Sequence, residues 1–321
     1  MDASGQDFLL QTDLRLTDEA ELMLLESASR LPTVSGDIDR KYILGLPNRV
    51  RWGELEALQI AVDGELTGVF CYRNVDNEAE LVYGCIRRGG RINIERPLMK
   101  EIIHELETRD IHAIRSSFSW PGSEQFITAA LETGFRKIGR MSMSRNVDPG
   151  HALPHPGSGT AILPWSPTYF ENVCKIMYEA SEHYDRAVYP LFGSIEGARR
   201  LLLSILQDRH GLFMPDLSMV AQKDGRIAGF LLSALLPDGC VLILDIAVDS
   251  DFRRHGIGSQ MLENLVNKSA TLDRNQIVLA VTRDNNPAIA LYLKAGFKEI
   301  AHFDQYVLEI KPEPPRQETP F

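Results

Sequence analysis

The stretch DIAVDSDFRRHGIGSQMLENL, Asp245 to Leu265, decides the fold. It opens inside an apolar run, VLILDIAV, which alternates poorly and so suits a strand buried on both faces. It closes in an amphipathic run where Met261, Leu262 and Leu265 share one helical face. RRHGIG between them reads as a strand-to-helix turn. A helix that starts there presents free backbone N–H groups and the positive end of its dipole. Gly256 and Gly258 let an anion approach the main chain with no Cβ in the way, and Arg253 and Arg254 add charge-assisted hydrogen bonds. A phosphate or pyrophosphate is the natural guest. For a G-x-G taken alone, the alternative is a tight turn with glycines for local geometry.

A second motif follows. In LAVTRDNNPAIALYLKAGF an apolar strand ends at Val281, a polar turn carries Asn285, and a short helix holds Tyr292 one turn before the glycine stop at Gly296. With R-x-x-G-x-G after a strand and N-x-x-A-x-x-L-Y-x-K-x-G-F about 30 residues on, Met219 to Leu308 resembles the GNAT superfamily of N-acetyltransferases. The resemblance implies a mixed, mostly antiparallel α/β (α+β) sheet flanked by helices. It implies that Arg253, Arg254, His255, Gly256, Ile257, Gly258 and Ser259 hold the pyrophosphate of acetyl-CoA, the co-substrate. The backbone of Ile246, Ala247 and Val248 is expected on the pantetheine arm, with Asn285 beside it. Tyr292 is expected to protonate the departing thiolate, or, on the plainer reading, to pack its ring on the sheet. Some relatives carry a glutamate base on the strand before the asparagine. Here that position is Ala280, and Asp245 is the nearest substitute, either as a base or as a partner of neighbouring backbone.

The chain also repeats itself. DGELTGVF at Asp63 matches DGRIAGFL at Asp224, an offset of 161, and LETGFRKIG matches LKAGFKEIA, with Gly134–Phe135 against Gly296–Phe297, an offset of 162. Two tandem GNAT-like domains are expected: a degenerate one over 1–147, a Pro- and Gly-rich linker over 148–159, a catalytic one over 160–310 and a tail over 311–321. In the first, Arg91, Ile94, Arg96, Pro97, Ser123 and Ala130 stand where the second has Arg253, Gly256, Gly258, Ser259, Asn285 and Tyr292, so no intact acetyl-CoA motif remains.

The net charge of -10 argues against nucleic acid. No apolar run reaches the ~18 residues that cross a membrane. Four scattered cysteines without a C-x-x-C pair, and no basic leader, fit a cytoplasmic protein. Histidine spacing predicts no metal site. The acceptor end is expected in YEASEHYDRAVYPLFG, with Glu179 and Glu182 on one helical face and Tyr184, Asp185 and Tyr189 in the loop after it, a set suited to an ammonium group or simply a solvated face. The reading is an N-acetyltransferase acting on a primary amine, of a small molecule, by direct attack in a ternary complex. A protein N-terminal or lysine acetyltransferase and a non-catalytic acyl-CoA sensor are the alternatives. Monomer and homodimer both stay open.

Overall fold

The computed structural model describes residues 8–11, 16–29, 37–75, 77–87, 93–120, 122–147 and 159–310. Residues 148–158 of the expected linker, the tail 311–321 and Arg91 lie outside them. Two compact units result: unit 1 is Met1–Ile138 with Asp304–Pro312, and unit 2 is Gly139–Phe303 with Glu313–Phe321.

Unit 1 runs β1 (Phe8–Gln11), α1 (Asp18–Ser29), α2 (Asp37–Arg51), β2 (Glu56–Val62), β3 (Glu65–Val75), β4 (Glu78–Ile86), α3 (Glu95–Thr108), β5 (Ala113–Ser116) and α4 (Glu124–Glu132). Its sheet order is β1-β2-β3-β4-β5, closed by Tyr306–Glu309, which pair antiparallel with Ser116–Ala113. Thr17 caps α1, its hydroxyl accepting from the Ala20 N–H at 3.2 Å.

Unit 2 takes most of β6 (Arg136–Asn146), then β7 (Ala161–Pro164), α5 (Phe170–Ala180), α6 (His183–Val188), α7 (Ile195–Leu206), β8 (Leu212–Phe213), β9 (Met219–Lys223), β10 (Arg226–Leu235), β11 (Val241–Val248), α8 (Ile257–Thr271), β12 (Gln276–Thr282), α9 (Asn286–Lys294) and the first part of β13 (Lys298–Glu309). Its sheet order is β6-β12-β11-β10-β9-β7, with β8 on β10. Among the described residues β11 and β12 pair parallel, while β6–β12, β11–β10, β10–β9, β10–β8 and β9–β7 pair antiparallel. The architecture is the mixed, mostly antiparallel sheet with flanking helices that the sequence leads one to expect.

The sequence repeat returns as repeated backbone conformation. Asp63–Gly64 turns β2 into β3 and Asp224–Gly225 turns β9 into β10, with φ of 54° and 82° in the first and 50° and 74° in the second. Positive φ at both central residues is what a two-residue hairpin needs. Gly134 and Gly296 end α4 and α9 at φ 101° and 81°.

The units do not follow chain order. Residues 140–146, assigned by sequence to the first half, pair with β12 in seven register positions from Arg140↔Thr282 to Asn146↔Gln276. Met143 is fully buried in the core of unit 2. Hydrogen-bond partners, not sequence neighbours, decide which sheet a strand joins. A fragment beginning at Gly159 therefore lacks a strand and a core side chain of unit 2. It is expected to show no cooperative thermal transition by circular dichroism, where the full chain melts cooperatively. A cooperative melt of that fragment would contradict the assignment.

Candidate active site

The site is built where β11 leaves β12. The two strands share only Val241↔Ile277 and Leu242↔Val278. Beyond them β11 stays paired with β10, through Leu231↔Ile246, Phe230↔Ala247 and Gly229↔Val248, while no pairing to β12 is present. One edge of Ile246–Val248 thus pairs with no strand among the described residues.

Helix α8 opens at the end of that edge. Its N-cap is Gly256, left-handed at φ 78°, and no side chain caps the helix. A Cβ on Gly256 would meet nothing within 4 Å, so the space before the terminus is open. The unbonded N–H groups of the first turn, at Ile257, Gly258 and Ser259, point into it. Gly258 does a different job: a Cβ there would lie 3.0 Å from Leu291 Cδ2, so its absence lets α8 approach α9. An uncapped helix start beside a free strand edge fits a pyrophosphate with an extended amide-bearing arm, the shape of acetyl-CoA.

Not every residue of the turn faces that space. Arg253 donates from Nε to Val248 O at 3.3 Å, from Nη2 to Ala180 O at 3.2 Å, and from Nη1 to Glu182 Oε1 at 3.2 Å. It ties the turn between α5 and α6 to the end of β11. His255 Nδ1 lies 3.2 Å from Phe252 O. Exposed Arg254, held at φ 70°, makes no hydrogen bond or ion pair among the described residues. Asn285 is the N-cap of α9, its Oδ1 accepting from Ala288 N at 3.1 Å, so it positions the helix that carries Tyr292.

Tyr292 is 7% exposed, with its ring 5.8 Å from that of Phe297. Its hydroxyl has no hydrogen-bond partner among the described residues. Burial, with the charges of Asp245 and Asp185, pushes the phenol pKa up, and Arg140 opposes the shift. Asp245 itself is raised to about 7, by burial and then by Asp185, against a hydrogen bond from the Ile246 N–H. Burial also raises Asp185, opposed by the bond from Glu182 N, at 3.1 Å, and by the charge of Arg140. Asp185, Asp245, Tyr292 and Arg140 therefore share one electrostatic environment, and Tyr189 joins it with its ring 6.0 Å from the Arg140 guanidinium.

The acceptor segment differs from its sequence reading in two ways. Glu179 and Glu182 do not share a helical face, because α5 stops at Ala180 and Glu182 is the extended N-cap of α6. Glu179 is exposed and meets Lys175 at 3.8 Å. Tyr184 and Asp185 lie in α6 rather than a loop, because the Asp185 carboxylate accepts from the Glu182 N–H and starts a helical turn. Arg140 was not legible as a site residue: it belongs by sequence to the degenerate half, and only the pairing of β6 with β12 brings it here.

Unit 1 shows the same strand geometry with a different filling. Strands β4 and β5 pair from Glu78↔Ala113 to Leu81↔Ser116 and then stop. Past that point Phe118 and Trp120 turn inward, with ring centroids 5.3 Å apart and Trp120 6% exposed. A Cβ on Gly84, the counterpart of Ile246, would lie 3.3 Å from Trp120 Cζ2. Ile94, at the place of Gly256, is buried, and Arg96, at the place of Gly258, meets Glu132 at 3.3 Å.

The raised Asp245 gives a stability prediction. Unfolded, this carboxyl loses its proton near its ordinary value of 3.8; folded, it holds it to about 7. The group therefore costs stability as pH rises through that window. Asp245→Asn removes the cost, so the Tm of the variant relative to the parent should climb between pH 4 and 7 and level off above. A difference independent of pH would show that the carboxyl is not held protonated.

Comparison with known proteins bears on this geometry. Residues 177–297 match the family model "Acetyltransferase (GNAT) family". An [ribosomal protein bS18]-alanine N-acetyltransferase of Salmonella typhimurium is 37% identical over 83 residues, 26% of this chain and 55% of that protein. A mycothiol acetyltransferase of Clavibacter sepedonicus is 33% identical over 90 residues, 28% of this chain and 29% of that one. The chain thus spans about half the length of the first of these relatives. Among solved structures, a tandem GNAT protein from the clavulanic acid biosynthesis pathway aligns with a TM-score of 0.55 at 14% identity, over 96% of this chain and 100% of that one. A GCN5-related N-acetyltransferase from Sphaerobacter thermophilus gives 0.55 at 17%, over 95% and 96%. By family model, residues 177–297 hold a domain of the GNAT acetyltransferase family, and the fold of the chain is like that of tandem GNAT proteins.

Proposed function

We propose that unit 2 transfers the acetyl group of acetyl-CoA to the primary amine of a small molecule, by direct attack within a ternary complex. The observation that carries this reading is the open start of α8 beside the unpaired edge of β11, with the Tyr292 hydroxyl left without a protein partner close by. Bound there, acetyl-CoA supplies an activated thioester. The chain's own residues do the rest. The first-turn N–H groups of α8 hold the pyrophosphate, and the free edge of Ile246–Val248 holds the arm. Asp245, with a pKa near neutrality, takes a proton from the incoming ammonium. The amine nitrogen forms its bond to the thioester carbonyl carbon, the carbon–sulfur bond breaks, the sulfur takes the phenol proton of Tyr292, and the second proton shed by the nitrogen returns to the phenolate through water, while Asp245 releases the first to solvent.

Acid and base assist each other. The negative charge of Asp245 opposes ionisation of Tyr292. Once Asp245 has taken the amine's proton, that opposition is gone and the phenol gives up its proton more readily. Between turnovers the same charge keeps the phenol protonated and ready.

Unit 1, in this reading, binds no acetyl-CoA, because Trp120 and Phe118 occupy the space between its diverging strands. Calorimetric titration of the full chain with CoA should give one site per chain. Two comparable sites would overturn the reading.

Tyr292→Phe keeps the ring and removes the acid. It should lower kcat by about 100-fold, the low end for general acid catalysis, with CoA affinity nearly unchanged. An unchanged kcat, where chemistry limits the rate, would return Tyr292 to core packing. In the parent, kcat/KM should rise with pH through about 7 as Asp245 ionises. Asp245→Asn should remove that limb; a limb that persists in the variant would take the base role from Asp245.

A further inference from the structure

The cluster contains a cation with no ion-pair contact among the described residues. Arg140 is 7% exposed. Its Nη1 donates to Thr282 Oγ1 at 2.8 Å and its Nη2 to Ala280 O at 3.3 Å, both uncharged acceptors. No carboxylate of the described residues stands in ion-pair contact with it, and its buried Nε has no hydrogen-bond partner. A guanidinium cannot shed its charge. Burying a charge without a paired opposite charge is costly, and proteins seldom do so without a reason at the site.

The place of this cation narrows the reason. Ala280 and Thr282 lie in the last three residues of β12, the strand that diverges from β11. The ring of Tyr189, from the acceptor segment, lies 6.0 Å from the guanidinium. Asp185 and Asp245 lie in the same cluster, so the site offers negative groups for an ammonium and, separately, a positive one. The pyrophosphate end is elsewhere, at Gly256. The two bonds to β12 fix the guanidinium plane and leave one N–H on each Nη, with the Nε–H, unused. A carboxylate, planar with two oxygens, matches that fork.

We propose, resting on the acetyltransferase reading of unit 2, that Arg140 binds a carboxylate carried by the acceptor near its amine, so that the substrate is a zwitterionic amino acid rather than a simple amine. The amine then faces Asp245, the carboxylate faces Arg140, and the Tyr189 ring forms a wall between them and the surface. An uncharged analogue leaves the guanidinium buried and unpaired, which is the situation in which a site rejects a near-isostere most strongly.

The test uses the full chain, acetyl-CoA, and a panel of α-, β- and γ-amino acids, each assayed beside its own amide, with release of free thiol as the readout. The parent should turn over one or more acids with kcat/KM about 100-fold above the matched amide. Arg140→Gln should bring that ratio close to one, chiefly by loss on the acid. Arg140→Lys, a point charge without the fork, should fall between. Amides as good as acids in the parent would overturn the proposal, and this comparison needs no variant to fold. Equal losses on acid and amide in Arg140→Gln would also overturn it, making Arg140 a structural or catalytic partner instead. Should CoA bind while no member of either set is acetylated, the carboxylate proposal falls; should CoA fail to bind as well, the acetyltransferase reading falls with it.

Discussion

Everything at the site follows from β11 and β12 giving up their pairing after Val241↔Ile277 and Leu242↔Val278. Two parallel strands that stay paired offer a ligand nothing between them. Once they part, β11 keeps its partner β10 and exposes a row of backbone groups on the other side. The turn after Val248 then delivers the uncapped start of α8 to the end of that row. Gly256 supplies the left-handed residue the turn requires, and Gly258 lets α9 sit close enough to bring Tyr292 alongside. Unit 1 makes the same separation and buries its own Phe118 and Trp120 just past it. One strand geometry thus gives an unpaired strand edge in one unit and a packed core in the other.

The electrostatics of the cleft come from crowding, not from a single strong contact. Asp185 raises the cost of ionising Asp245, both oppose the phenolate of Tyr292, and Arg140 favours the charged forms of Asp185 and Tyr292. Such a set is poised: a change of charge on any member alters the others. An arriving charge is therefore felt across the cluster, as the proton transfers proposed above require.

Much of this was legible in the sequence, and the boundary is physical. Turn chemistry is local: Asp-Gly at 63–64 and 224–225 and Gly-Phe at 134–135 and 296–297 announced the repeat because those backbone conformations restrict the residues. RRHGIG announced a helix start for the same reason. Strand partnership is not local. Nothing in RKIGRMSMSRN shows that its residues from Gly139 on pair with β12, so Arg140 stayed hidden. The break at Ser181, which separates Glu179 from Glu182, was missed because a helical period looks continuous until a cap interrupts it. Here the cap is the Asp185 carboxylate on the Glu182 N–H, and the Ser181 hydroxyl bonding Tyr178 O and Phe192 O holds the turn.

Hydrogen exchange on the full chain, with and without CoA, tests the central claim most directly, because it locates the ligand without assuming the acceptor. CoA should slow exchange at Ile246–Val248 and at Ile257–Ser259 and leave Gly84–Ile86 of unit 1 unchanged. Protection at Gly84–Ile86, or none at the start of α8, would contradict the account.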